Sequence, residues 1–240
     1  MILKGKYSID APRVFTSYVL LSVIFIIWGI ISIMNNYKFK YIISFFALLS
    51  IFFCIIFLHT TRRGKFNIWN SVADTINIDS NIKYLDLGCG RGAILYLIVK
   101  RLDFINKGMG IDLWKNNDQY ENNIEKTKEN AIAEGVENKI ELITADMMKL
   151  PFKNESFHLI TSNLAIHNIK DKNGRRKALE EAYRVLKENG ELIIVDIGKI
   201  KEYKLILEEL RLKDITYKNT GYNGWWPGPW MPTYLIRGKK

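Results

Sequence analysis

The sequence predicts an α/β protein with a doubly wound, seven-stranded sheet, preceded by two transmembrane helices. Three observations lead to this fold class. Strand-like and helical runs alternate through most of residues 66–240, which is the pattern of a parallel sheet covered on both faces. A turn with three glycines separates the first of these strands from the helix that follows it. Two long uncharged segments lie near the N-terminus.

The two uncharged segments are residues 14–33 and 41–58. Each can cross ~30 Å of hydrocarbon at about 1.5 Å per helical residue, and the short connection makes the two helices antiparallel neighbours. A secretory signal would be shorter and would not be followed by a second span, and buried core helices of this length rarely lack charge. The sequence therefore predicts a membrane anchor over residues 1–65 and a second domain over residues 66–240.

Charge is divided unevenly between these two predicted domains. Residues 1–65 hold eight of the 35 basic residues and one of the 25 acidic ones, so they carry most of the formal net charge of +10. Basic residues flank the outer ends of both spans, which predicts an integral membrane protein with both ends, and hence the second domain, in the cytoplasm. The predicted partner is thus the lipid bilayer, and a nucleic-acid partner is not expected. Cys54 and Cys89 predict neither a disulfide nor a metal site.

The elements of the second domain follow one another as a βαβ series. Helices are expected over about residues 93–101 and 172–187, and Asn189 with Gly190 is expected to form a turn. Right-handed crossovers place the ligand site at the carboxyl ends of the strands. The last two strands are joined by a loop with no room for a helix and are expected to pair antiparallel. The predicted strands are residues 83–87, 108–112, 140–143, 158–161, 191–196, 214–217 and 233–236.

The glycine turn lies in the run YLDLGCGRG. Gly88, Gly90 and Gly92 let the backbone approach a ligand without a Cβ in the way, and the following helix presents unpaired amides. The first two glycines with Ala93 also fit a dinucleotide fingerprint, so the spacing alone allows a nicotinamide enzyme. Asp86 favours a different ligand, because a carboxylate beside the turn attracts a cation and repels a pyrophosphate.

Further polar residues follow the later strands of the predicted sheet. Asp112 ends the second strand, where such folds place an acid on the ribose hydroxyls. Asp146 follows the third strand, and Asn163 follows the fourth. Because the carboxyl ends of parallel strands meet at one edge of a sheet, these side chains and Asp86 are expected to lie together.

The run D-x-G-C-G-x-G closely resembles the first motif of the class I S-adenosylmethionine-dependent methyltransferases, among them the type 11 domains that resemble quinone methyltransferases. Residues 180–197, EEAYRVLKENGELIIVDI, and the terminal hairpin are also similar to this family. The resemblance covers most of residues 66–240. It implies a Rossmann-like fold with a C-terminal antiparallel hairpin and S-adenosyl-L-methionine, which carries an ammonium and a sulfonium group, as the cofactor.

The resemblance also implies which residues bind the cofactor. The glycine turn and its acid hold one end, an acid after the second strand binds the ribose, and an acid and a methionine after the third strand lie at the adenine edge. The expected cofactor-binding residues are Asp86, Gly88, Cys89, Gly90, Gly92, Asp112, Leu113, Asp146, Met147 and Asn163, with no metal.

The chemistry is expected near the fourth strand, where His167 and Asn163 emerge beside the methyl group. Methyl transfer is an in-line displacement on an activated sulfonium, so the protein needs a base only if the nucleophile carries a proton. His167 is the predicted base, since histidine changes charge near neutral pH. A loop histidine that only packs is the alternative. Asn163 is expected to contact the cofactor or the substrate through its amide.

Residues 225–232 hold three of the six Trp and three of the five Pro. A stiff aromatic loop of this kind suits either the wall of an apolar pocket or an interfacial anchor at the membrane. The pocket is favoured, because connections between the last two strands reach the strand ends in the resembling family.

Together these observations predict a methyltransferase at the cytoplasmic membrane face that acts on a hydrophobic or membrane-associated small molecule. A membrane-bound sensor or scaffold that binds the cofactor without transfer is the alternative. A remote alternative is an NAD(P)-dependent oxidoreductase, because Tyr96 with Lys100 and Tyr183 with Lys187 have the Tyr–Lys spacing of such enzymes. Neither pair has a catalytic serine in the expected context.

Overall fold

The computed structural model describes residues 4–76, 81–102, 105–115 and 122–240. Within these residues one sheet is formed by strands β1 to β7, which are Tyr84–Leu87, Gly108–Asp112, Ile140–Thr144, Phe157–Asn163, Leu186–Ile197, Lys213–Asn219 and Thr233–Lys239. Their order is β3-β2-β1-β4-β5-β7-β6. All pairs are parallel except those of β7, which is antiparallel to β5 and to β6. The predicted seven-stranded sheet with a terminal antiparallel hairpin is confirmed.

Helices cover both faces of the sheet and precede it. In chain order, helices α1 to α7 are Pro12–Met34, Lys40–His59, Lys65–Ala73, Ala93–Leu102, Ile124–Glu134, Lys172–Val185 and Ile200–Glu209. A π-helical turn, Thr60–Gly64, joins α2 to α3, and short 3-10 turns lie at Glu137–Lys139, Ile166–Asn168 and Gly221–Gly224.

The crossover pattern positions the site. The chain passes from β1 outward through β2 to β3 and then returns to β4 on the other side of β1. Strand β1 is buried along its whole length, and its last residue, Leu87, pairs with Ile111 of β2 and Ser162 of β4. The carboxyl ends of these three strands therefore meet at the switch point, where sheets of this type bind ligands.

Apolar side chains pack on both faces of this sheet. On one face α3 and α4 contribute Trp69 and Tyr96, and on the other α6 and α7 contribute Leu179 and Ile206. All four side chains are almost fully buried. Because both faces are covered, the inner strands consist of nearly continuous buried residues instead of alternating ones.

The junction between α6 and β5 differs from the sequence prediction. The helix ends at Val185, two residues before the predicted end, and β5 begins at once. The predicted turn at Asn189 and Gly190 is instead a bulge within β5. Asn189 has the left-handed φ of 62° that suits a turn, but its N–H donates to the carbonyl of Lys240 at 3.0 Å, and the N–H of Lys240 donates to Gly190 at 3.1 Å. Pairing with the C-terminus keeps the segment in the sheet.

Helices α1 and α2 contain the two predicted spans and extend slightly beyond them. They pack antiparallel, since the rings of Phe15 and Phe57 lie 5.5 Å apart and those of Phe25 and Phe46 lie 6.0 Å apart. Most of their large apolar side chains are exposed, and both helices are long and apolar enough to cross a membrane. The chain stays helical from α2 through the π-helical turn into α3, across residue 65, where the sequence places a domain boundary.

Candidate functional site

A cavity of about 530 Å³ opens at the switch point of the sheet. Its volume lies in the range of small-molecule and cofactor sites. The structure brings all but one of the predicted site residues into its lining: Asp86, Gly88, Cys89, Gly90, Asp112, Leu113, Asp146, Met147, Asn163 and His167.

The exception is Gly92, which lies behind the turn and outside this lining. Its φ is 81°, and a Cβ at this position would lie 2.2 Å from the ring of Tyr96. The glycine is needed because α4 packs its first turn against the backbone here. Packing against Tyr96 is thus sufficient to explain the glycine at this position.

The glycine turn is held open by its backbone conformation and by β2. Gly88 and Gly90 have left-handed φ values of 69° and 50°. A Cβ on Gly88 would lie 2.4 Å from the Cβ of Ala165, so no other residue fits. The N–H of Cys89 donates to the carbonyl of Ile111 at 2.9 Å, which fixes the turn to the neighbouring strand.

The side chain of Cys89 packs against β2. Its Sγ would lie 2.8 Å from a Cβ at Gly110, so the thiol occupies the space that this glycine leaves. Burial raises the pKa of the Cys89 thiol, and the charges of Asp112 and Asp86 raise it further. The thiol is therefore kept protonated and acts as a small packing group rather than as a nucleophile.

Asp86 is a buried carboxyl at the centre of the site. It is 2% exposed and accepts a hydrogen bond from Thr161 Oγ1 at 2.6 Å. Burial raises the pKa of Asp86 to about 7; the hydrogen bond from Thr161 opposes this rise, and the charge of Asp112 adds to it. A nearby cation favours the ionised form of a carboxyl, so this group suits a positively charged ligand.

Asp112 and Asn122 form a second polar cluster on the cavity wall. Asp112 accepts from the N–H of Gly90 at 2.8 Å, from the N–H of Trp114 at 2.7 Å and from Asn122 Nδ2 at 3.2 Å. Among the residues that the structure describes, Asn122 Oδ1 is buried with no hydrogen-bond partner. An acceptor atom without a donor beside a carboxylate fits the vicinal hydroxyls of a ribose. Asn122 gave no signal in the sequence.

Asp146 and Met147 form the wall beyond β3. Asp146 Oδ1 accepts from the N–H of Met148 at 2.8 Å and so orders the turn after this strand. The Cε atom of Met147 would lie 3.2 Å from a Cβ on Gly88, so its thioether side chain covers the glycine turn. The Asp146 carboxylate, an acceptor, and the apolar Met147 thioether thus lie in one wall, as an adenine ring requires.

His167 is paired with a carboxylate that sequence reasoning missed. It lies in the 3-10 turn after β4, and its Nδ1 is 2.5 Å from Asp196 Oδ1. Asp196, 1% exposed near the end of β5, also accepts from the N–H of His167 at 3.0 Å and from the hydroxyl of Tyr203 at 3.1 Å. A carboxylate on Nδ1 fixes the ring and its tautomer and leaves Nε2 for a ligand. The single acid in the apolar run LIIVDI, residues 192–197, was the signal for Asp196.

Asn163 is oriented by α3. Its Oδ1 accepts a hydrogen bond from Trp69 Nε1 at 2.7 Å, and Trp69 is fully buried. Because Asn and Trp have few rotamers when both are held this way, the Asn163 amide has a fixed direction at the cavity wall. Trp69 is a second residue that sequence reasoning missed.

The aromatic loop at residues 225–232 reaches both the cavity and helix α2. Trp226 is 5% exposed and lines the cavity, and its ring packs edge-on against Phe57 of α2 at 5.1 Å. Trp230 is 62% exposed and packs against Phe53 at 5.1 Å. The same loop thus forms part of the pocket wall and contacts the second apolar helix.

The two Tyr–Lys pairs lie outside the cavity lining. The hydroxyl of Tyr96 donates to a backbone carbonyl of α5 at 2.7 Å, and Lys100 pairs with a glutamate of the same helix at 2.8 Å. The ring of Tyr183 receives a cation–π contact from the last lysine of the chain. Both pairs serve packing, and the site offers no support for hydride transfer.

The fold and this site define a class I S-adenosylmethionine-dependent methyltransferase. A family model described as a methyltransferase domain matches residues 78–235, and the chain belongs to that family. S-adenosylmethionine is the cofactor of this class, and the buried carboxyl, the ribose acceptors and the open glycine turn fit it.

Curated relatives include quinone methyltransferases. The chain is 32% identical over 141 residues to a ubiquinone/menaquinone biosynthesis C-methyltransferase of Rickettsia prowazekii, covering 58% of this chain and 54% of that protein. It is 30% identical over 137 residues to the chloroplastic 2-phytyl-1,4-beta-naphthoquinone methyltransferase of Arabidopsis thaliana, covering 57% and 50%. The chain thus spans about half the length of the curated relatives it matches.

Solved structures share the fold at lower identity. A geranyl diphosphate methyltransferase in complex with S-adenosylmethionine superposes with a TM-score of 0.59 at 16% identity, over 77% of this chain and 88% of that one. This likeness concerns the fold alone.

Proposed function

We propose that this protein transfers the methyl group of S-adenosylmethionine to a hydrophobic, membrane-associated small molecule at the cytoplasmic membrane face. One observation carries the proposal. A single cavity joins the carboxyls at the switch point to the His167–Asp196 pair and to Trp226, which packs on an apolar helix. A cofactor site, a proton acceptor and an apolar wall therefore share one space.

The cofactor half of this cavity is assigned residue by residue. Asp112 and Asn122 would bind the ribose hydroxyls. Asp146 and Met147 would bind the adenine, and Leu113 would form the wall beside them. Asp86, with the turn at Gly88 to Gly90 and the amide of Asn163, would face the charged end of the cofactor. When bound, the cofactor supplies a methyl group already activated on a sulfonium.

The acceptor half supplies a base and apolar contacts. Asp196 holds Nδ1 of His167, so Nε2 can take a proton from the attacking atom of the acceptor. A base at this place favours an acceptor whose nucleophile carries a proton, such as a hydroxyl or the ring carbon of a hydroxylated ring. The quinone methyltransferases among the relatives support a ring of this kind with an apolar tail.

The first two helices support the proposed location. Their exposed apolar surface supports insertion as two spans, and Arg13, Arg62 and Arg63 lie at the helix ends nearest the sheet. Basic residues remain on the cytoplasmic side of membranes. The catalytic domain is accordingly assigned to the cytoplasmic face, with residues 1–65 as the anchor.

Labelled cofactor distinguishes transfer from binding alone. The full-length protein in lipid nanodiscs is incubated with methyl-labelled S-adenosylmethionine and a membrane lipid extract. The expected result is a labelled product in the organic phase, suppressed by excess S-adenosylhomocysteine. Cofactor binding without label in any fraction would contradict the proposed transfer and support a sensor or scaffold. Mass analysis of the labelled product identifies the acceptor.

A further inference from the structure

The cavity is closed in part by the N-terminal region. Asp10 and Ala11, just before α1, and Lys65, the first residue of α3, line the same cavity as Gly88 and His167. A simple tether would leave the active site to the α/β domain. Here the segments that flank the two apolar helices contribute polar atoms to it.

These residues form a compact ion pair. Lys65 Nζ is 2.7 Å from Asp10 Oδ2, and the Lys65 side chain is 4% exposed. The hydroxyl of Thr61 donates to the same oxygen at 2.8 Å, and the N–H of Asp10 donates to that hydroxyl at 2.8 Å. The pair therefore connects the segment before α1 to the π-helical turn after α2.

The segment that carries Asp10 is fixed to the cofactor side of the domain. The N–H groups of Lys4 and Gly5 donate to Glu134 Oε1 at 2.5 and 2.6 Å, and the N–H of Lys6 donates to Asn130 Oδ1 at 2.8 Å. Asn130 Nδ2 in turn donates at 3.1 Å to the carbonyl that follows Gly90 in the glycine turn. Asp10 is thus held in a defined position beside the site.

Stability alone does not explain an ion pair with a buried lysine here, because apolar replacements of buried ion pairs are often neutral or stabilising. An ammonium group has three N–H donors. Of the described residues, only Asp10 accepts a hydrogen bond from Lys65 Nζ. Lys65 Nζ also lies over the ring of Phe66, 5.5 Å from its centroid. The N–H donors that point neither to Asp10 nor to this ring remain for a ligand at this end of the cavity.

Resting on the proposed function, we propose that Lys65, oriented by Asp10, binds a hydroxyl or carbonyl oxygen on the head group of the acceptor. The subsite takes an oxygenated ring, with Trp226 as its apolar wall. The anchor is then part of the acceptor site, because Lys65 and Asp10 are positioned by the ends of its two helices. Membrane attachment and acceptor recognition use the same segments.

The test measures acceptor binding directly, so it does not depend on turnover. The full-length protein loaded with S-adenosylhomocysteine is titrated with a hydroquinone that carries a short isoprenoid tail, and with the matching prenylated benzene that lacks both oxygens. The variant is the double substitution Asp10→Asn with Lys65→Met, which removes both charges and leaves neither one buried alone. Arg63→Met, which changes an exposed basic residue of the adjoining π-helical turn, is the matched control.

In the double variant, hydroquinone affinity should fall about 10- to 100-fold, the range for a lost hydrogen bond to a charged group. Binding of the benzene and of S-adenosylhomocysteine should be unchanged, and Arg63→Met should match the wild type. Unchanged hydroquinone affinity, or an equal loss for both ligands, would overturn the subsite. Absence of methyl transfer by the wild type would refute the proposed function while leaving this binding result readable.

Discussion

The two halves of the cavity are built in different ways. Most residues of the cofactor half lie in the last residues of a parallel strand or directly after it, so the pairing of β1, β2, β3 and β4 aligns them. The acceptor half comes from a helix start, a 3-10 turn and a distant loop that only tertiary packing brings together. The cofactor half is Asp86, Gly88, Asp112 and Asp146, and the acceptor half is Lys65, His167 and Trp226.

This difference explains how one fold can accommodate sites for many acceptors. The cofactor half depends on short runs of sequence that the sheet positions automatically. The acceptor half depends on contacts such as that between Trp226 and Phe57, which join segments far apart in the chain. If the two halves are independent, substitutions can change cofactor binding and methyl transfer separately.

The largest effect is expected in the acceptor half, from His167→Ala. Loss of the base should lower kcat about 10²- to 10⁴-fold, while the Kd for S-adenosylmethionine remains unchanged, because His167 faces the acceptor. His158→Ala is the matched control and should leave both values as in the wild type, since His158 lies at the opposite end of β4. Initial rates with the purified acceptor and calorimetric titration with the cofactor measure the two quantities. Equal loss of cofactor binding would show that the halves are not separable.

The next effect belongs to the cofactor half. Asp112→Ala removes the acceptor of the Gly90 and Trp114 amides and the proposed ribose contact. The Kd for the cofactor should rise about 10- to 150-fold, corresponding to about 1.5–3 kcal/mol. Glu129→Ala on the exposed face of α5 is the control. Retained cofactor affinity in Asp112→Ala would make the assignment of this half wrong.

The contrast also explains what the sequence could predict. The glycine turn, Asp86, Asp112 and Asp146 were readable because each follows an apolar run, and the strands need only pair in parallel to assemble them. The doubly wound sheet and its terminal hairpin were predicted from the same pattern, but the order of the strands was not. Gly92 also matches the motif, but it lies outside the cavity lining, and a Cβ there would clash with the ring of Tyr96.

The acceptor half was only partly readable. His167 was found because it follows β4, but Asp196 lies far from it in the chain, and only packing brings the two together. Lys65, like Asn122 in the cofactor half, occurs in a polar segment with no periodic pattern, so no local signal separates either residue from surface residues. The bulge at Asn189 depends on pairing with the C-terminal residue, which is also a long-range contact.

A comparison of two glycines distinguishes the cost of a left-handed backbone from the cost of a steric clash in the cofactor half. Gly88 and Gly135 share left-handed φ values of 69° and 66°, but a Cβ on Gly135 meets nothing within 4 Å. Gly135→Ala should lower the free energy of unfolding by about 1–2 kcal/mol and leave cofactor affinity unchanged. Gly88→Ala should add a clash with Ala165 and weaken cofactor binding. Chemical denaturation and calorimetry measure both, and equal effects of the two substitutions would contradict the tight fit at Gly88.

The smallest effect is a pH dependence within the cofactor half. With the pKa of Asp86 raised to about 7, the ligand-free carboxyl is mostly protonated at pH 6 and mostly ionised at pH 8. A cationic cofactor binds the ionised form, so its affinity should be about tenfold weaker at pH 6 than at pH 8. Calorimetry in buffers of different ionisation enthalpy should also show proton release on binding near pH 7.

Asp86→Asn provides the control for this titration. The stability of the ligand-free protein should depend on pH in the opposite direction to the cofactor affinity. Between the ordinary carboxyl pKa of 3.8 and about 7, the native state holds a proton on Asp86 that the unfolded state has lost. Stability should therefore fall as pH rises through this window, by at most about 1.4 kcal/mol per pH unit, and less so in Asp86→Asn. Cofactor affinity rises over the upper part of the same pH window. The bound cofactor therefore offsets the loss of stability that ionised Asp86 causes in the empty site. If stability and cofactor affinity change with pH in the same way in the wild type and in Asp86→Asn, then Asp86 does not connect folding to cofactor binding.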